Sequence, residues 1–223
     1  MLSIVATPIG NLGDITLRAI ETLKKAQAIV CEDTRVTGSL LKHLEIEKKE
    51  LISFHGNTDA GKADYVIDRL KRGEHLVLVS DAGTPGISDP GYVVTSKAAE
   101  TGIQIEVIPG ASAFLTALSG SGLPIHQFVY LGFLPLKKGR QTLLKSLPDE
   151  ERTIVFYESV HRIERTLVDI AEALASQPDR PVVIGRELTK MHEEFVRTTV
   201  AGLPDIAKTI TQKGEFVVVI GAQ

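Results

Sequence analysis

Three segments of this 223-residue chain combine glycine and proline with small polar side chains in a pattern that suits a ligand cradle. They are Thr7-Pro-Ile-Gly-Asn-Leu-Gly-Asp14, Asp81-Ala-Gly-Thr-Pro-Gly-Ile-Ser-Asp-Pro-Gly91 and Pro109-Gly-Ala-Ser-Ala113. Glycine lets backbone approach a ligand closely, and proline holds a loop rigid. Each segment follows a short run rich in Val and Ile. All three are therefore expected at the carboxyl ends of strands, where open α/β sheets bind ligands. One such loop reads as an ordinary turn, but three on one sheet edge point to a binding site. Missing signatures narrow the chemistry. No Gly-x-Gly-x-x-Gly follows the first strand, and no Gly-x-x-x-x-Gly-Lys-Ser/Thr occurs, which argues against a dinucleotide or ATP cradle. The six histidines and the lone Cys31 show no metal-ligand spacing, so no metal is expected. Gly-x-Ser-x-Gly is absent, so a serine hydrolase finds no support.

These loops need a scaffold. Strand signals fall at 3–7, 28–31, 51–54, 76–80 and 104–108, with helical signals between them at 15–25, 37–43, 62–72 and 92–101. Asp14 is a plausible cap for the first helix. The strand runs are continuously apolar, which suits strands of a parallel sheet buried on both faces. Alternating strand and helix signals indicate an α/β domain. Ser-Gly-Ser-Gly-Leu-Pro124 reads as a linker. Beyond it, strands are expected at 128–133, 153–157, 182–185, 195–200 and 215–221, and helices at 139–147, 160–175 and 204–212. In the second of these helices Val160, Ile163, Leu167, Ile170 and Leu174 form one apolar stripe, with Ser159 as its cap. The strands near 195–200 and 215–221 look like a pair flanking the last helix. The expected organisation is an α/β domain over 1–117, a linker over 118–124 and a second α/β domain over 125–223.

Apolar residues make up 43% of the chain and charged residues 24%, as in ordinary globular proteins. No run approaches the roughly 20 apolar residues that span a bilayer, so no membrane association is expected. The sequence opens on a strand-like run rather than a signal peptide, and a cytoplasmic location is expected. The net charge of −3 does not by itself suggest a nucleic-acid binder. Lys137, Lys138, Arg140 and Lys145 nevertheless form a small basic cluster, readable as a solvated helix start or as an anion-binding patch.

The segments Val5-Ala-Thr-Pro-Ile-Gly-Asn-Leu-Gly-Asp-Ile-Thr16, Glu32-Asp-Thr-Arg35, Val79–Tyr92 and Ile108-Pro-Gly-Ala-Ser-Ala113 occur in that order. They are followed by Gly132-Phe-Leu-Pro135, Phe156-Tyr-Glu-Ser159 with His161-Arg162, and Arg186-Glu-Leu-Thr-Lys190. Together they resemble the tetrapyrrole methylase superfamily of S-adenosylmethionine enzymes, over nearly the whole chain. Within it they resemble the branch that methylates a cytidine ribose 2′-hydroxyl of small-subunit (16S) ribosomal RNA. The resemblance implies two αβα domains with the cofactor in the interdomain cleft, and a homodimer acting on small-subunit rRNA or the assembled small ribosomal subunit. It places cofactor contacts at Pro8, at Asp81, Ala82, Gly83, Thr84, Pro85 and Ile87, at Ser112 and Ala113, and at Leu188. Val36, the His55-Gly-Asn run, Ala111 and Val160 depart from the pattern of that branch.

In such an enzyme the cofactor carries the difficult chemistry, and the protein aligns the acceptor. A ribose hydroxyl is a weak nucleophile that benefits from a base or a polarising cation. Glu32, Arg35, His55, Glu158 and Lys190 are the candidates for that role, with Asp33 beside them. Lys137, Lys138, Arg140, Arg162 and Arg186 are the candidates for holding RNA. Each has a plainer reading: Glu32 with Arg35 and Glu158 with Arg162 are also spaced to form ion pairs, and His55 also suits a polar loop. A lysine base would need a depressed pKa. Three further readings fit the superfamily less directly: methylation of a tetrapyrrole, modification of a protein side chain, and a cofactor-sensing domain without catalysis.

Overall fold

The computed structural model describes residues 1–55 and 60–223, in two compact units, Met1–Ser112 and Ala113–Gln223. In the first unit the strands are β1 (Leu2–Val5), β2 (Ala28–Cys31), β3 (Glu50–Ser53), β4 (Leu76–Leu78) and β5 (Ile105–Ile108). They form one parallel sheet in the order β3-β2-β4-β1-β5. The helices are α1 (Leu17–Lys25), α2 (Thr34–His43), α3 (Ala60–Lys71) and α4 (Gly91–Glu100). Side chains alternate across the pleat and fill a core on each face. Leu2, Ile4, Ala28, Val30, Leu76 and Leu78 pack with Val66, Leu70 and Val94 of α3 and α4. Val5, Ile29, Cys31, Val77 and Val79 pack with Ala19, Leu23 and Leu41 of α1 and α2. This double burial explains the unbroken apolar runs. Each fully buried Val, Leu or Ile stabilises the fold by about 1.5–3 kcal/mol.

Two helix starts differ from the sequence expectation. Thr16, not Asp14, caps α1: its hydroxyl accepts from the Ala19 N–H at 3.0 Å. Asp14 instead closes a short 3-10 turn (Leu12–Asp14) whose cap is Asn11. Helix α2 begins at Thr34 because Asp33 caps it, accepting from the Arg35 N–H at 2.8 Å. Arg35 therefore lies on a helix rather than in a loop.

The second unit contains β6 (Phe128–Phe133), β7 (Thr153–Ser159), β8 (Pro181–Arg186), β9 (Glu194–Thr199) and β10 (Glu215–Ile220) in the order β6-β7-β10-β8-β9. Only β6 and β7 are parallel. Strands β9 and β10 are not paired with each other, because β8 lies between them. Helices α6 (Arg140–Ser146), α7 (Ile163–Ala173) and α8 (Leu203–Thr209) cover the face that carries Ile154, Phe156, Val218 and Ile220. Helix α5 (Ala113–Ser121) packs on the sheet as well, and its Phe114 N–H donates to the Tyr157 hydroxyl at 3.3 Å. Tyr157 alternates with Phe156 along β7, so α5 covers the opposite face. Helix α7 starts at Ile163, not at 160, and Ser159 ends β7 instead of capping the helix.

The division of the chain falls at Ser112/Ala113, earlier than the 118–124 segment expected to be a linker. Ala117, Leu118 and Ser121 of α5 are buried. Gly120 is a packing residue rather than a hinge: a Cβ there would lie 2.4 Å from the Phe195 ring.

Candidate active site

The topology of the first unit turns over at β4. The loops leaving β1 and β2 lead to α1 and α2 on one face, whereas the loop leaving β4 leads to α4 on the other. Strand β4 lies between β2 and β1, so its neighbours' loops both diverge from its own. Such a switch point opens a crevice at the carboxyl ends of the strands.

Hydrogen bonds tie the loops around this crevice together. Thr7 and Gly83 exchange backbone hydrogen bonds of 2.9 and 3.0 Å, and the Thr7 hydroxyl donates to the Ser80 carbonyl at 3.2 Å. The Thr84 hydroxyl donates to the Ala111 carbonyl at 3.2 Å. The Asp81 carboxylate accepts from the Asp33 N–H at 2.9 Å. The three glycine- and proline-rich segments and the Glu32–Arg35 segment thus form one construction. Within the Asp81–Gly91 loop, Gly83 and Gly86 adopt φ of +82° and +89°, a region that side chains disfavour. The Asp89 carboxylate closes the loop by accepting from the N–H groups of Gly86 (2.9 Å) and Gly91 (2.7 Å).

Gly110 is fixed by a different constraint. A Cβ at this position would lie 2.9 Å from the Ala6 Cβ, at the end of β1. The Gly110→Ala variant is expected to push the loop after β5 off β1, at about 1–3 kcal/mol of stability. If that loop holds the cofactor, affinity for S-adenosylhomocysteine falls at least tenfold. Calorimetric titration alongside thermal melting checks both effects.

A cavity of about 620 Å³ opens beside the crevice. Thr7, Pro8 and Leu12 line it from the loop after β1, Ser80 and Asp81 from the end of β4, and Arg35, Val36, Ser39, Leu40 and His43 from α2. Of the expected cofactor residues, Pro8 and Asp81 face this space. Gly83 and Pro85 are buried, while Ala82 and Ile87 are exposed. Ser112 is buried at the end of the first unit. Ala113 opens α5, and Leu188 is buried against Gly185 in the second unit.

The charged residues separate by environment. Arg35 is 89% exposed and holds Asp33 at 2.6 Å. That side-chain bond, with the Arg35 N–H, lowers the Asp33 pKa to about 2, which makes Asp33 a poor base. Glu32 lines a small separate pocket with Asp89 and Phe54, so it does not pair with Arg35 as its spacing suggested. Burial raises its pKa, and the charges of Asp81 and Asp89 raise it further, against a smaller opposing pull from His55. His55 is exposed just after β3.

Several candidates of the second unit are committed to structure. Glu158 is buried, and it accepts from the Thr166 hydroxyl and the Ser159 N–H, both at 2.7 Å. It also pairs with Arg162 at 2.7 Å, as the plainer reading of their spacing held. Arg140, expected to grip RNA, is 7% exposed and bound to Asp169 at 2.7 Å and Thr166 at 3.0 Å. Arg162 also donates to the Leu134 carbonyl at 3.0 Å. Arg186 pairs with Glu194 at 3.0 Å, and only 12% of its side chain is exposed. Lys190 is not a neutral base. Partial burial lowers its pKa, but the hydrogen bonds it donates to the carboxylates of Glu187 (2.8 Å) and Glu215 (3.0 Å), with their charges, outweigh this and raise it. Lys137 and Lys138 are exposed in the loop before α6. Among the described residues no cluster of side chains could hold a metal ion, and no helix is long and apolar enough to cross a membrane.

Sequence reasoning missed Ser39, Leu40 and His43, which line the cavity. The four-residue spacing of Arg35, Ser39 and His43 was available as a signal, but starting the helix at residue 37 hid it.

A parallel sheet with a switch at β4, followed by a mixed sheet with helices on both faces, is the architecture of a known enzyme class. The chain belongs to the tetrapyrrole methylase family: the family model described as Tetrapyrrole (Corrin/Porphyrin) Methylases matches residues 1–204. Members of this family use S-adenosylmethionine. The chain is 47% identical over 221 residues to the ribosomal RNA small subunit methyltransferase I of Synechocystis sp., covering 99% of this chain and 78% of that protein. It is 44% identical to the protein of the same name from Thermotoga maritima, covering 100% of this chain and 98% of that one. Among solved structures the fold matches diphthine synthase (TM-score 0.74, 15% identity, covering 99% of this chain and 89% of that one). It also matches cobalt precorrin-4 methyltransferase (TM-score 0.71, 21% identity, covering 99% and 94%).

Proposed function

We propose that this chain is a methyltransferase that moves a methyl group from S-adenosylmethionine to a cytidine ribose 2′-hydroxyl of small-subunit ribosomal RNA. The observation that carries this reading is its 43–50% identity, over nearly the whole chain, to proteins named ribosomal RNA small subunit methyltransferase I. The loops at the β4 switch supply the place. Pro8, the turn from Asp81 to Ile87, Ser112, Ala113 and Leu188 would hold the cofactor, largely through main chain. The left-handed glycines and the close approach of Gly110 to Ala6 fit such a backbone cradle. When bound, the cofactor supplies a methyl carbon already activated by a sulfonium.

The protein's own task is then to orient the acceptor, exclude water and take the hydroxyl proton. Glu32 is the proposed proton acceptor, because its raised pKa makes it a stronger base than Asp33, which Arg35 keeps ionised. Arg35, Lys137 and Lys138 are the exposed cations proposed to meet RNA phosphate. The working form is proposed to be a cytoplasmic homodimer.

Incubation with labelled cofactor should transfer label to undermethylated small subunits, and mass mapping should place it on a cytidine ribose. Parallel reactions with naked rRNA identify the preferred substrate. Cofactor binding without transfer to either RNA would overturn this reading.

A further inference from the structure

Most walls of the 620 Å³ cavity beside α2 are formed by residues outside the expected cofactor contacts. The cofactor segments after β4 and β5 are tied to each other by Thr84 and Ala111. The cavity instead lies among the loop after β1, the end of β4 and helix α2, sharing only Pro8 and Asp81 with the expected cofactor contacts. Its size falls in the roughly 300–1,000 Å³ range of small-molecule sites.

Its chemistry is two-sided. Pro8, Val36 and Leu40 give it apolar walls, and Val36 is 43% exposed, so an apolar surface stands ready for a flat ring. Ser39, His43 and Asp81 give it polar edges. Ser39 and His43 are four residues apart on α2, hence neighbours on one helix face. A cytosine needs this combination: faces that stack on apolar surface, and an edge whose amino group donates while its carbonyl and ring nitrogen accept. Asp81 can accept from the amino group, and the Ser39 hydroxyl can donate to the carbonyl. Sequence-specific RNA recognition works on unstacked bases read in this way.

We infer that this cavity receives the base of the target cytidine, unstacked from its RNA, with Asp81 reading the amino group and Ser39 and His43 on α2 forming the other polar edge that holds it. The inference rests on the proposed RNA methyltransferase activity and adds the place where the acceptor is read.

Ser39→Leu tests it. The position is exposed on a helix, and leucine is a strong helix former, so the fold is expected to tolerate it. The added carbons would project into the cavity and obstruct a base there. The expected result is a KM for undermethylated small subunits raised at least tenfold, with the S-adenosylhomocysteine Kd changed less than twofold and the melting temperature unchanged. His43→Ala should raise the same KM without affecting the cofactor. Loss of cofactor affinity in both variants would assign the cavity to the cofactor and overturn the inference. Unchanged KM in both, with transfer intact, would overturn it while leaving the proposed activity standing. If wild-type protein transfers no label to any RNA, the activity falls first and the inference with it.

Discussion

Replacing Arg180 by alanine is expected to destabilise the second unit by about 3–5 kcal/mol, the range for breaking a buried charged network. Arg180 is 5% exposed. Its guanidinium donates to the carbonyls of Gly221 (2.7 Å), Glu150 (2.8 Å), Leu147 (3.3 Å) and Arg152 (3.4 Å), and to the Gln177 side chain (2.9 Å). One side chain thus ties the end of α6, the approach to β7 and the chain beyond β10. Burial pushes its pKa down from the usual value, partly opposed by the Glu150 charge. The hydrogen bonds hold the cation in place. In the alanine variant these carbonyls lose their donor, and each unsatisfied buried acceptor costs roughly 1–3 kcal/mol before relaxation. Lysine would recover less than half of the loss, because an ammonium has three donors and no planar fork. With an m-value of about 2 kcal/mol/M, the urea midpoint should fall by roughly 2 M. A change below about 1 kcal/mol would mean that water replaces the guanidinium.

The Glu32→Gln variant should lose activity and gain stability together. As the proposed proton acceptor, Glu32 contributes a factor of about 10²–10⁴ to the rate, as general bases do. Its folded-state pKa is raised, first by burial and then by Asp81 and Asp89. A raised pKa contributes stability that is fully present below the unfolded value, 4.5 for this group, and is lost as pH rises through the folded value. At neutral pH the ionised carboxylate is therefore a liability to the fold, and glutamine removes it. Thermal melts should place Glu32→Gln above the wild type at pH 7, with the difference vanishing near pH 4. The methyl-transfer rate of the wild type should fall on the acid side at a higher pH than an ordinary carboxylate gives. Full activity in the variant would remove Glu32 from the mechanism. A melting temperature at pH 7 equal to that of the wild type would remove the strain.

Much of the fold could be read along the chain because its strands are buried on both faces. The runs at Ala28–Cys31 and Leu76–Leu78 are apolar without interruption, and such runs announce a central parallel strand. The glycine and proline loops were legible for the same local reason: Gly83, Gly86 and Gly110 stand where backbone conformation or close approach excludes a side chain. Helix α5 was obscured because Gly120 and Gly122 resemble a hinge. The ring of Phe195, 75 positions further along the chain, is what requires the first of them.

Charge was the least legible property. The sequence determined that Glu32, Arg35, Glu158 and Lys190 are acids and bases near strand ends, and that three loops share one sheet edge. Only the tertiary structure decided what each charge does. Arg140, Arg162 and Glu158 are drawn into one buried network by Thr166 and Asp169. Arg186 and Lys190 are held by Glu194, Glu187 and Glu215. A charge acts on a ligand only when nearer partners leave it exposed, and those partners come from distant parts of the chain. The loops carry their conformational requirements in their own residues, whereas the role of a charged side chain is set by neighbours that folding alone brings to it.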